Sequence, residues 1–185
     1  SLRSPQSSLA PPTASPSTTR ESGAQGQKAL GSDHSDVAAE LHNLARLYEA
    51  RGRFAEAESL YLRALTIFEK SYELNPQHIG NHLNVAITLE NIGNLYRSQD
   101  RLADSESAIQ RAIKIFEKVL GSDHLHSAST RRSLAIIYLD QERYAEAEVL
   151  LKRVIEIQEK VSGPDNLQVA KTLHMLAQVY SLQRR

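Results

Sequence analysis

The side chains best placed for metal or acid–base chemistry are the histidines and the paired carboxylates. The chain has seven histidines. His34 and His124 follow Asp33 and Asp123 in two copies of one pentapeptide, LGSDH. The copies stand two repeats apart, roughly 20 Å if each repeat advances by about 10 Å, the usual helix-packing separation. One ion cannot bind both, so they read as turn residues beside a capping Asp. His78 and His82 are near neighbours in sequence, but no third ligand is evident beside them. Carboxylates such as Glu56 and Glu58 point to different sides of a helix, which makes a solvated surface and not an acid–base pair. No Gly-rich phosphate loop, HExxH or GxSxG occurs. The absence of cysteine removes disulfides, thiolate metal sites and a cysteine nucleophile. These observations point away from an enzyme and give no reason to expect a metal or a cofactor.

Charge narrows the partners. Lys plus Arg and Asp plus Glu balance at 22 each, so no general attraction to nucleic acid or an anionic membrane is expected. No apolar run approaches a membrane span. A cysteine-free chain agrees with a reducing compartment, and a cytoplasmic location is expected. The segment Ser1–Gly26 is rich in Ser, Pro, Thr, Ala and Gln and holds four of the six prolines. Leu2 and Leu9 are its only large apolar residues, too few to offset the entropy of ordering. A Ser/Pro-rich disordered tail or linker is therefore expected over 1–29, with the folded domain over 30–185.

The elements that would position any site are written several times. RFAEAESLYLRALTIFEK starts at Arg53, RLADSESAIQRAIKIFEK at Arg101 and RYAEAEVLLKRVIEIQEK at Arg143. Upstream of each, an apolar stretch closes on a tyrosine: Tyr48, Tyr96 and Tyr138, with Tyr180 closing a fourth. The tyrosines are spaced 48, 42 and 42 residues apart. Leu41, Leu44, Ala45 and Tyr48 fall at i, i+3, i+4 and i+7, a helical stripe. Small residues recur at Ala45, Gly93, Ala135 and Ala177, and again at Ala57, Ser105 and Ala147, which lets two helix axes cross closely. Gly31, Gly121 and Gly163 can end a helix in the left-handed conformation, with Asp or Ser beyond them to cap the next. The unit is linker, helix A, turn, helix B. A single hairpin cannot bury both of its faces, but a stack of them can. Repeats are expected at about 36–75, 83–120 and 126–162, with a terminal helix at 167–183. The interval between Phe68 and Tyr96 is six residues longer than its counterpart, and SYELNPQHIGNH holds the insertion.

This alternation of small residues and tyrosines resembles the tetratricopeptide repeat. The 42-residue period with an LGxDH linker is similar to the kinesin light chain variety. The match rests on Leu41, Leu44, Ala45, Tyr48, Ala57, Tyr61 and Ala64 and their counterparts through Tyr180. Arg131 departs from it, standing where the family has an apolar residue. The resemblance implies an all-α solenoid of helix-turn-helix repeats, a right-handed superhelix of about three and a half units. It also implies a non-catalytic protein–protein interaction module, a scaffold or adaptor, with the A helices lining a concave peptide groove. Carried over by register, the groove-facing residues are His42, Asn43, Arg46 and Glu49, then Glu90, Asn91, Asn94 and Arg97. Arg132, Ser133, Ile136 and Leu139 follow, then His174, Met175, Gln178 and Ser181.

Asn side chains can both donate to and accept from a peptide backbone, and Arg46, Arg97 and Arg132 can pair with an acidic ligand. Chaperone-tail binders of the family use a Lys/Asn/Asn/Lys/Arg set. It would fall on His42, Arg46, Asn94, Arg132 and Ile136, where only Asn94 matches in kind and Arg132 in charge. Kinesin light chains bind acidic, aromatic-containing peptides; Asn43 and Asn91 agree with that type, whereas Ser133 does not. The terminal helix keeps an apolar stripe with no helix B after it: Leu173, Leu176, Val179, Tyr180 and Leu182. Homo-oligomerisation through that stripe, end to end, is the rival expectation. A groove filled by the chain's own tail is a third.

Overall fold

Apolar side chains at a 3.6-residue period, with capping and turn residues between them, give helices and no strands over the residues that the computed structural model describes, 35–184. They belong to one compact unit, Asp33–Arg185. The expected tail at 1–29 and the first linker with His34 lie outside the described residues. The helices are α1 (Ser35–Ala50), α2 (Phe54–Leu74), α3 (Ile79–Ser98), α4 (Leu102–Leu120), α5 (Leu125–Asp140), α6 (Tyr144–Ser162) and α7 (Leu167–Gln183). Each packs against the next in sequence, and the A helices α3 and α5 also touch. The architecture is an all-α helical repeat of three hairpins and a further A helix.

The small residues do what their spacing predicts. Ala45, Ala57, Ala135 and Ala147 have no exposed surface. At Gly93, a Cβ would lie 2.6 Å from Ile109 Cγ1, and Ser105 Oγ donates to the Gly93 carbonyl at 2.7 Å. The second hairpin is therefore crossed more closely than an alanine would allow. Ala177, the fourth copy, stays exposed because no helix B crosses α7 among the described residues.

A three-residue turn closes each hairpin. Gly52, Asp100 and Glu142 hold the same left-handed position, with φ of 72°, 60° and 60°. The arginine that follows locks the turn. The backbone N–H of Arg53, Arg101 and Arg143 donates to the carbonyl of Tyr48, Tyr96 and Tyr138 at 2.9, 2.9 and 2.8 Å. Each guanidinium lies over the ring of the same tyrosine, 4.3, 3.9 and 4.0 Å from its centroid. Each also pairs three residues on, with Glu56, Asp104 or Glu146. Arg101 and Arg143 reach back to the previous repeat as well, to Glu58 at 2.9 Å and Glu106 at 2.7 Å. The lock thus ties successive hairpins together.

Two expectations are corrected. The six inserted residues lengthen two helices. The turns at 75–78 and 121–124 are equally long, but α2 has 21 residues against 19 in α4, and α3 has 20 against 16 in α5. The second repeat therefore begins at Ile79 and not at 83. The residues after the left-handed glycines are not the caps either. His78, His124 and Asn166 occupy the N-cap positions. His124 Nδ1 accepts from the His126 N–H at 3.1 Å, as Asn166 Oδ1 does from Gln168 at 2.8 Å. Both side chains carry an acceptor at the reach a cap needs. Asp123 pairs instead with Arg153 at 2.6 Å and Lys160 at 2.8 Å. Arg131, only 12% exposed, is satisfied by Glu117 at 2.6 Å and the Ser122 carbonyl at 2.8 Å, so a charge can stand where an apolar residue was expected.

Candidate binding face

The A helices bring their groove-register residues to the seams between repeats, where many bond to one another. His42 on α1 faces Thr88 and Asn91 on α3. The Thr88 hydroxyl donates to the Asn84 carbonyl at 2.7 Å, so His42 Nδ1–H donates to Thr88 Oγ1 at 3.1 Å. His42 Nε2 then accepts from Asn91 Nδ2 at 2.9 Å. The seam holds a neutral imidazole, and burial, aided by the Arg46 charge, pushes the His42 pKa below its ordinary value. The ring also meets Tyr61 edge-on, with centroids 5.3 Å apart. Tyr61 donates to Glu49 at 2.9 Å; burial first, and that carboxylate second, push its phenol well above the usual range.

The next seams are built from other chemistry. Glu90 on α3 lies 3.2 Å from Thr130 Oγ1 on α5, and burial pushes its carboxyl up. Arg97 pairs with Asp140 at 2.7 Å. Arg132 donates to Gln168 on α7 at 2.9 Å. Asn91, Arg97 and Arg132 therefore already have partners. Asn43, Arg46 and Asn94 make no hydrogen bond or ion pair among the described residues; Asn43 and Arg46 are exposed and Asn94 half-buried. Ser133 and Ile136 are half-buried, and Ser133 Oγ lies at long range, 3.5 Å, from the Ser129 carbonyl. Between α5 and α7 the face opens into a cleft of about 640 Å³. Leu139, His174, Gln178 and Ser181, all groove-register positions, line it together with Asp140, Ala177 and Leu182.

The apolar stripe of α7 divides in two. Leu176 and Val179 are buried at 9% and 0% exposure within the core formed with α6, so they are not available to a second molecule, contrary to expectation. Their buried faces do the work of Ile92 and Leu95, which pack on the preceding helix B. Leu173, Tyr180 and Leu182 remain exposed.

Among the described residues, no group of His, Asp and Glu can hold a metal ion, and no helix is long and apolar enough to cross a membrane. His82 donates through Nε2 to the Pro76 carbonyl at 2.8 Å and lies edge-on to Tyr72, a packing role. Sequence reasoning also missed a buried polar pair. Thr172 Oγ1 lies 2.9 Å from Gln158 Oε1, at a helix B position where the first two repeats carry Phe68 and Phe116. Gln158 breaking that aromatic pattern was the available signal.

Comparison with known proteins follows the same lines. A tetratricopeptide repeat family model matches residues 24–70, 84–160 and 134–185, more than half of the chain. A Podosopora anserina protein described as a kinesin light chain, with nearly identical TPR-like repeats, superposes with a TM-score of 0.69 at 25% identity. The match covers 89% of this chain and 75% of that one. BtubC (BKLC) from P. vanneervenii gives 0.70 at 21% identity, over 89% of this chain and 66% of that one. The first TPR of Spaghetti, bound to an HSP90 peptide, gives 0.54 at 16% identity, over 80% and 96%. These last two show likeness of fold alone. A search of curated proteins gave no match.

Proposed function

The chain belongs to the tetratricopeptide repeat family, with repeats of the kinesin light chain type, and on that premise we propose that it is a non-catalytic module whose A-helix face receives an extended protein segment. One observation carries the reading. Groove-register side chains from successive A helices, Leu139 with His174, Gln178 and Ser181, line a common cleft. A cleft with apolar walls and a few polar groups suits a side chain of a bound segment, while neighbouring amides suit its backbone. At the α1–α3 end, Asn43, Arg46 and Asn94 supply unpaired polar groups. An acidic ligand is favoured there by Arg46; Arg97 gives Nε to Asp140 and Arg132 gives Nη1 to Gln168, and each keeps further N–H donors for a ligand. A cytoplasmic setting is part of the same reading.

Capture of partners by the purified chain, followed by peptide-array mapping, tests this. The selected peptides are expected to lose affinity when Asn43, Arg46 and Asn94 are replaced together by Ala. Unchanged binding by that variant and by a Gln178→Ala/Ser181→Ala variant would overturn it.

The rival reading, end-to-end assembly, draws support from apolar side chains left open at both ends of the array. These are Leu44 and Leu47 on α1, and Leu173, Tyr180 and Leu182 on α7. Sedimentation equilibrium separates the two. Association abolished by Leu173→Glu with Tyr180→Glu favours assembly, and a monomer at high concentration excludes it.

A further inference from the structure

A second cleft lies away from the A-helix face, where the six inserted residues lengthen α2 and α3. The extended ends of α2 and α3 stand over α4 and enclose about 430 Å³. Tyr72, Val85 and Ile115 supply its apolar surface, and Arg111, Lys114 and Lys118 bring three cations to it. Glu69, Glu73 and His82 complete the lining.

The repeat provides its own control for this charge. Arg111 and Lys118 on α4 correspond by register to Arg153 and Lys160 on α6. At the later junction both of those cations bind Asp123, in the turn between α4 and α5. At the earlier junction the equivalent turn residue is Gln77, which carries no charge. Arg111 turns instead to Glu69, at 2.8 Å. Glu69 is free to accept it because Leu89 stands where Arg131, at the later junction, binds the matching Glu117. Lys118 is left without an acid, and Lys114 has none either: among the described residues neither makes a hydrogen bond or ion pair. Glu73 makes none with them. The hairpin tip beside the cleft also presents Leu74 and Ile79, 79% and 60% exposed. A protruding tip with two bare apolar side chains, next to unpaired cations over an apolar floor, is a surface that lacks its complement.

We infer that this cleft between α2, α3 and α4 docks an acidic segment of a partner protein. Its carboxylates take the place beside Lys118 that Asp123 fills beside Lys160 at the later junction, and Lys114, which stands where that junction has Glu156, adds a second cation. An adjoining apolar or aromatic side chain enters over Tyr72, Val85 and Ile115. The site is separate from the A-helix face, so the chain can hold two segments at once.

The test is fluorescence anisotropy with a set of labelled peptides, each carrying one Leu, Phe or Trp between glutamates, titrated with the full chain. At least one peptide is expected to bind, with affinity falling about tenfold or more in Lys114→Gln/Lys118→Gln, two exposed positions whose change leaves the fold intact by circular dichroism. Gln77→Asp, which supplies the acid of the later junction, is expected to weaken binding as well. Asn43→Ala/Arg46→Ala is expected to leave it unchanged, which keeps this outcome distinct from that of the A-helix face. The proposal is overturned if no peptide binds, if the lysine variant binds as the natural chain does, or if only the Asn43/Arg46 variant loses binding. Equal affinity for polyglutamate without an apolar residue would also overturn it, because the apolar floor would then be idle.

Discussion

Inside each hairpin, and in the arginine that ties it to the one before, the chain repeats itself; along the seams between A helices it does not. The crossing of helix A on helix B uses a small residue on both sides, a turn in the left-handed conformation and one arginine over one tyrosine, three times over. The seams between A helices use His42 with Thr88 and Asn91, then Glu90 with Thr130, then Arg132 with Gln168. Packing geometry leaves few choices at a crossing, so the same solution recurs. A half-buried polar seam only needs its groups satisfied, and many pairs do that. The first region makes the array, and the second gives each repeat its own surface.

If that division is right, the crossings carry the largest energetic effects. Ala147→Leu places a branched side chain where none fits and is expected to cost about 3 kcal/mol, the upper end for overpacking. Chemical denaturation measures it, and native-state hydrogen exchange should show the loss concentrated in α5, α6 and their neighbours. A smaller but sharper test is Gly93→Ala. Helix propensity alone favours alanine by about 1 kcal/mol. The new Cβ would press on the fully buried Ile109, so a net loss of about 1 kcal/mol or more is expected. Ile109→Val in the same chain should recover part of it. A stabilised Gly93→Ala protein would show that the second crossing is looser than described.

The seams are expected to respond less, and to respond to pH. Asn91→Ala leaves His42 Nε2 without its donor and should cost about 1 kcal/mol, the usual net value of a hydrogen bond. His42 has a folded pKa below its ordinary value, because of burial and then Arg46. The unfolded chain therefore binds the proton more readily. The stabilising contribution is complete above the ordinary histidine pKa of 6.5 and is lost as pH falls through the folded value. Thermal melts from pH 7.5 to 5 should show a steeper decline for the natural chain than for His42→Gln. Glu90 acts in the opposite sense. Its carboxyl is raised by burial, so its contribution is present below the ordinary Glu value of 4.5 and fades as pH rises through the folded one. Glu90→Gln should therefore steepen the acid side of the profile, the reverse of His42→Gln. The smallest stability effect belongs to the open face: Asn43→Ala with Arg46→Ala should stay within about 0.5 kcal/mol while binding is lost.

How far the sequence could be read follows the same division. The helices, their pairing and the small positions are set by local spacing, so Ala45, Ala57 and the recurring tyrosines were legible from the repeat period, whereas the arginine over each tyrosine was not. The fate of the insertion was not, because lengthening two helices and making a loop use the same residues. Whether Ile79–His82 adds a turn to α3 depends on what that turn packs against, as with His82 on Tyr72. Partners across a seam were invisible as well. Asn91 reads as an exposed amide until His42, 49 residues away, is placed against it. Leu176 reads as a bare stripe residue until α6 covers it.

The central claim, that the A-helix face receives the protein segment, is tested most directly by hydrogen exchange of the full chain with and without a peptide selected from the array. Peptides that depend on Asn43 and Arg46 should slow exchange in α1, α3, α5 and α7 and leave the outer faces of α2, α4 and α6 unchanged. Protection confined to α2, α4 and α6, with the A helices exchanging as before, would contradict it.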